Sequence, residues 1–160
     1  MSADDPVSAD GPVLDAVLTA SRVLVAMAAR SLADAGEEVT LTQYRSLVVL
    51  ASRGPQGMAA LAEALSVNAS TASRLVERLV RKGYVRRRTD RQDRRQVRIG
   101  LTERGRDLVR LVTDRRRQEI AALLASIPPE VLEPMADGLR HLAAAAGEVP
   151  EQDWSTGWDL

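Results

Sequence analysis

Arginine is the residue type this sequence concentrates. The stretch YVRRRTDRQDRRQVRIGLT, residues 84–102, carries seven arginines in nineteen positions, although the chain as a whole has a formal net charge of zero. Over residues 74–98 eleven basic groups (Arg74, Arg78, Arg81, Lys82, Arg86, Arg87, Arg88, Arg91, Arg94, Arg95 and Arg98) outnumber three acids (Glu77, Asp90 and Asp93). A cationic segment on an otherwise acidic chain suits a polyanion met from one side only. Guanidinium forks bind phosphates and base edges in two-pronged fashion. A single lysine among 22 basic residues fits that chemistry, and equally a codon bias toward arginine.

Other chemistry is scarce. Cysteine is absent, which removes disulfides, thiol switches, thiolate metal sites and Cys nucleophiles together. His141 is the lone histidine, so there is no multi-His cage and no His dyad. No phosphate-binding loop or nucleophile elbow is present, and the acids fall beside arginines or on solvated helix faces. No catalytic, metal or cofactor site is expected, and no enzyme. No apolar run reaches the length of a membrane span, and MSADDPVSADGP lacks the features of a signal peptide, so a cytoplasmic protein without a membrane partner is expected.

The arginines need elements to hold them. Residues 1–12 are small, acidic and Pro/Gly-containing, and read as a disordered tail. Leu14, Val17, Leu18, Leu24, Val25 and Ala28 recur at helical spacing up to about Ala33, with Gly36 as a stop. A second helix opens at Thr42 as its cap, with Tyr44, Leu47, Val48 and Leu50 inward and RGPQG as its terminator. Residues 58–83 read as two helices around a tight turn at Leu65-Ser66-Val67. Asn68 caps the second of these, and Val67 packs on Ala72 as a staple. Ala72, Leu75, Val76, Leu79 and Val80 give it one buried side. The opposite side presents Ser70, Arg74, Glu77, Arg78 and Arg81, flanked by Thr71 and Ser73, and Gly83 ends the helix.

YVRRRT and QVRIGL then favour strands, the second alternating Val97, Ile99 and Leu101 with polar positions or glycine, and DRQDRR is the turn between them. Thr102 caps a long helix with a seam of Leu108, Leu111, Val112, Ile120, Leu123 and Leu124. That seam offers more apolar surface than one small core can hide, so an interface is expected on it. A last helix follows Pro128-Pro129, with Pro134 in its first turn or kinking it. The tail EVPEQDWSTGWDL shows no helical period and leaves Trp154 and Trp158 to dock or dangle.

This order is a mainly α fold, a winged helix-turn-helix with a small two- to three-stranded antiparallel wing. Its second helix has the outer side needed for a DNA major groove. Asn68, Ser70, Thr71, Ser73, Arg74 and Arg78 form the contacting set there, and Arg94 and Arg95 at the ribbon tip suit an adjacent minor groove.

LAEALSVNASTASRLVERLVRKGYVRR, followed by DRQDRRQVRIGLTERG, resembles the recognition segment and wing of the MarR family of bacterial transcriptional regulators. The Asp-x-x-Asp-Arg-Arg turn and Leu-Thr-x-x-Gly carry the likeness. It covers residues 13–147, with a DNA-binding part about 40–102, dimerisation helices about 13–34 and 103–146, and a tail at 148–160 with no family counterpart. The resemblance implies a homodimer on a pseudo-palindromic double-stranded operator and a repressor. It also implies Asp93 holding a nearby arginine of the wing, and release from DNA by a small aromatic effector in a cleft. With no Phe and only Tyr44 and Tyr84 before the tail, such a cleft is expected to be lined by Leu, Val, Ala and Met. The competing reading is a ligand- or protein-binding dimer on the same scaffold that does not read DNA sequence.

Overall fold

The computed structural model describes residues 11–36, 38–89 and 96–157, the last three by backbone alone. The chain runs α1 (Pro12–Asp34), α2 (Leu41–Arg53), α3 (Met58–Ala64), α4 (Ala69–Arg81), β1 (Val85–Thr89), β2 (Val97–Leu101), α5 (Glu103–Leu124) and α6 (Pro129–Ala145), then a 3₁₀ helix at Glu151–Gly157. It is a mainly helical, winged helix-turn-helix arrangement, as its residue pattern predicts.

α2 is the centre of the core. Nine of its residues are buried, among them Tyr44, Leu47, Val49 and Leu50. Leu61, Val76, Leu79, Tyr84, Ile99, Leu101, Leu108 and Val112 close around it. The cap of α2 is Thr40 rather than Thr42. A reciprocal box needs a Gln or Glu three residues on, and Gln43 meets Thr40 whereas Arg45 would meet Thr42. The Thr40 hydroxyl accepts from the Gln43 N–H at 3.2 Å, and the Gln43 side chain accepts from the Thr40 N–H at 3.2 Å.

The tight turn of the helix-turn-helix is an αL cap. Ser66 has φ 53, its N–H donates to Glu63 O at 2.9 Å, and the Val67 N–H donates to Ala62 O at 3.0 Å. Two carbonyls orphaned at the end of α3 are thereby satisfied. The end of α4 repeats the geometry with Gly83 at φ 77: its N–H reaches Val80 O at 2.9 Å, and that of Tyr84 reaches Leu79 O at 3.0 Å.

β1 and β2 pair antiparallel, Val85 opposite Leu101 through to Thr89 opposite Val97. The other edge of β2 takes one further bridge, Gln56 to Ile99. The inward alternation expected of β2 stops short: Ile99 and Leu101 are buried, but Val97 is 51% exposed because the ribbon has left the body by that point.

Other expectations shift as well. Val80, expected on the inner side of α4, is 39% exposed, since at 100° per residue it falls at the edge of the stripe of Ala72, Leu75, Val76 and Leu79. The α5 seam divides, Leu108 and Val112 being buried and Leu111 and Leu123 exposed. Pro134 lies inside α6, beyond its first turn, because the helix already starts at Pro129. Pro12, expected in the tail, is the first residue of α1. α1 is also long and apolar enough to cross a membrane by length and composition, with a mean hydropathy of 1.6 over its best window.

Candidate nucleic-acid interface

Local chemistry fixes where α4 begins. Asn68 Oδ1 accepts from the Thr71 N–H at 2.8 Å and from the Ser70 hydroxyl at 2.8 Å. Its acceptor is thereby committed to the cap, which leaves the side-chain amide as the group through which Asn68 can meet a ligand. Ala72, Leu75, Val76 and Leu79 bury one face of the helix. Ser70, Arg74, Glu77, Arg78 and Arg81 are exposed on the other, with Thr71 and Ser73 half-buried. Arg74 folds back along the helix, its Nε donating to Ser70 O at 3.3 Å, and the Ser73 hydroxyl donates to Glu77 at 3.4 Å. These are weak, solvent-facing contacts that a better acceptor can replace.

Thr102 and the residues after it join the helix to the wing. The Thr102 hydroxyl donates to Gly83 O at 2.6 Å and accepts from the Gly105 N–H at 3.1 Å, so one side chain caps α5 and ties it to the end of α4. Arg104 donates to Lys82 O at 2.9 Å and lies over the Tyr84 ring at 4.6 Å. A Cβ on Gly105 would stand 2.1 Å from Tyr84 O, so only glycine lets α5 approach this closely. The Leu-Thr-x-x-Gly pattern is therefore a hinge-pin for the wing. In the sequence Arg104 reads as one more cation, and no spacing there marks its place over Tyr84.

The two strands carry arginine on both faces. Register places Arg86 opposite Gly100 and Arg88 directly opposite Arg98 on one face, and Arg87 opposite Ile99 on the other, which Val85 and Leu101 share. Like charges facing across a ladder are unfavourable. Arg86 has a buried Nε with no hydrogen bond. Burial first, then the neighbouring Arg88 and Arg106 guanidiniums, holds Arg86 below the ordinary arginine range. A group whose charged form is disfavoured in this way gains when an anion arrives. Asp93, Arg94 and Arg95 lie outside the described residues.

A second feature lies along α5. A cleft of about 580 Å³ opens between α5 and the C-terminal 3₁₀ helix, with Val109, Thr113, Asp114, Arg117, Glu151 and Trp154 in its walls. The Leu, Val, Ala and Met lining expected from the sequence is not what this cleft has. The tail supplies an indole, and charged groups form the lip. Behind Thr113 the Tyr44 hydroxyl is buried without a hydrogen-bond partner. Burial pushes its pKa up, against weaker opposing effects of the nearby Thr113 hydroxyl and Arg116. The tail itself is ordered on α2: Trp154 packs against the core, and its Nε1–H donates to Val149 O at 3.1 Å.

Known proteins share this arrangement. The model of the MarR family matches residues 39–97. The HTH-type transcriptional regulator TtmR of Methylorubrum extorquens is 39% identical over 105 residues, a match covering 66% of this chain and 53% of TtmR. The chain thus spans about half the length of that relative. RV1404 from Mycobacterium tuberculosis has a solved structure similar to this one, with a TM-score of 0.82 and 39% identity, covering 93% of this chain and 99% of that one. A MepR variant of Staphylococcus aureus, solved bound to an oligodeoxyribonucleotide, aligns with a TM-score of 0.60 and 25% identity over 85% of this chain and 99% of MepR.

Proposed function

Since the chain belongs to the MarR family, we propose that it is a dimeric, sequence-specific DNA-binding transcriptional regulator, a repressor relieved by a small molecule. The observation that carries this reading is the arginine-bearing face of the wing, Arg86, Arg88 and Arg98, joined through Thr102, Arg104 and Gly105 to a helix with a polar outer side. Ser70, Thr71, Ser73, Arg74 and Arg78 enter the major groove, with the Asn68 amide at its edge, and Arg94 and Arg95 reach the neighbouring minor groove with Asp93 steadying the turn.

Pairing of two chains supplies the second half-site. Val13, Leu18, Val25, Leu123, Leu139 and Leu142 are all at least 45% exposed on α1, α5 and α6, and a second copy is the cover that suits them. Two-fold pairing sets the recognition helices about 34 Å apart, one turn of the duplex. Under this reading α1 is a dimer helix of a cytoplasmic protein and not a membrane span.

The cleft beside Trp154 supports a small-molecule effector and also favours the second reading, a ligand-binding dimer that does not read sequence. Fluorescence anisotropy of the purified chain on duplexes with and without an inverted repeat separates the two. The regulator binds the repeat more tightly by about a thousandfold or more, with steep salt dependence. Equal, weak binding to both duplexes would leave only the second reading.

A further inference from the structure

The C-terminal segment forms a bridge between the end of α6 and the winged unit. α6 has no buried residue, so its own faces do not hold it to the body described here. Directly after it the chain returns to α2. Gly147 O accepts from Arg53 Nη2 at 3.0 Å. Glu148 takes both Nη groups of Arg45 in a two-pronged pair. Glu151 pairs with Arg117 of α5 at 3.1 Å, and Trp154 seats on the core beside them. Residues 147–154 therefore fasten the end of α6 to α2 of the winged unit and to α5 at the same time.

Each fastening is exposed. Arg117 and Glu151 are 68% and 45% exposed, and Arg45 and Glu148 are 41% and 37% exposed. Ion pairs of this kind hold weakly one at a time. Set in series with a single docked indole, they make a contact that closes readily and also opens readily. The cleft beneath runs along the same seam, walled by α5 on one side and by the segment on the other.

We infer that residues 147–154 are a displaceable clasp that fixes α6 against the winged unit and α5, and that closure sets the spacing of the paired recognition helices. The inference rests on the DNA reading above. An open clasp leaves each wing intact but lets the two wings swing independently, so a full inverted repeat loses affinity while a single half-site does not.

The test uses the full chain in a Trp158→Phe background, so that Trp154 is the one fluorophore of its type. Arg45→Glu opens the clasp, shifts Trp154 emission to the red, and weakens binding to the full repeat by about tenfold, a usual size for coupling between sites. Affinity for an isolated half-site stays the same. The swap Arg45→Glu with Glu148→Arg restores both the emission and the repeat affinity, which a loss of fold would not permit. Trp154→Ala reproduces the repeat defect. Unchanged emission in Arg45→Glu, or wild-type repeat affinity in a variant whose emission has shifted, overturns the clasp. Failure of the parent protein to bind any duplex would strike the DNA reading instead, and the emission shift and its rescue would then decide whether the clasp exists.

Discussion

The winged unit and the helical limb obey opposite rules of burial. Within the winged unit, Leu47, Leu61 and Leu79 are fully buried, and each element has an inner face matched by a neighbour. In the limb, α1 buries Met27, Ser31 and Leu32, while α6 buries nothing. Both regions are rich in apolar residues, so composition does not separate them. What separates them is whether one chain can supply the opposing surface. One region closes its core within a single chain, and the other leaves its apolar faces uncovered.

Replacing a leucine in each region makes that contrast sharpest. Leu47→Ala removes packing from a closed core and lowers unfolding free energy by about 3 kcal/mol at every protein concentration, as chemical denaturation would read. Leu142→Asp on α6 leaves dilute-solution stability almost unchanged. Sedimentation velocity then finds single chains at concentrations where the parent is paired. Equal stability losses for the two would erase the distinction.

The next effect belongs to the basic face. Replacing Arg86 and Arg88 together by alanine lowers the salt slope of duplex binding by about 1.8, or 0.9 for each phosphate that is no longer neutralised. Thermal stability holds or rises by a few tenths of a kcal/mol, because Arg88 no longer opposes Arg98. A fall in stability with no change in slope would make these arginines structural.

Tyr44→Phe probes the seam between the regions. The hydroxyl is buried with no hydrogen bond, so its removal leaves stability equal or raises it by about 1 kcal/mol. Because burial raises the folded-state pKa of Tyr44, its contribution is complete below the unfolded value near 10 and is lost as pH climbs from there through the folded value. Alkaline titration of the Phe variant should lose less stability above about pH 10 than the parent does. The smallest effect is Ser66→Gly. It relieves the αL conformation of the turn and stabilises by about 0.5 kcal/mol, the strain removed slightly exceeding the added unfolded-state freedom.

The same contrast explains what can be read from the sequence. α4 is legible because its inner residues keep a helical period, Asn68 stands at its cap and Gly83 at its stop. The wing is legible because β-favouring residues flank an all-polar turn. These signals are local. The tail is not legible: a 3₁₀ segment has no apolar stripe, and what orders it is a set of pairings with Arg45, Arg53 and Arg117, 34 to 103 residues away in sequence. Sequence spacing does not encode such contacts. The split of the α5 seam is hidden for a related reason, since an apolar stripe looks the same whether its cover comes from its own chain or from another. The cap of α2 is a different case. Thr40 and Thr42 are alike as residue types, and only Gln43, in plain view three positions after Thr40, decides between them. The contacts of Arg94, Arg95 and Asp93 stay as the resemblance implies them.

Selection from a pool of random duplexes by the purified chain asks whether paired chains read DNA sequence. An inverted repeat whose half-sites are centred about ten base pairs apart should be enriched, bound by two chains per duplex. Recovery of no common site, or of an asymmetric site bound by one chain, would contradict that expectation.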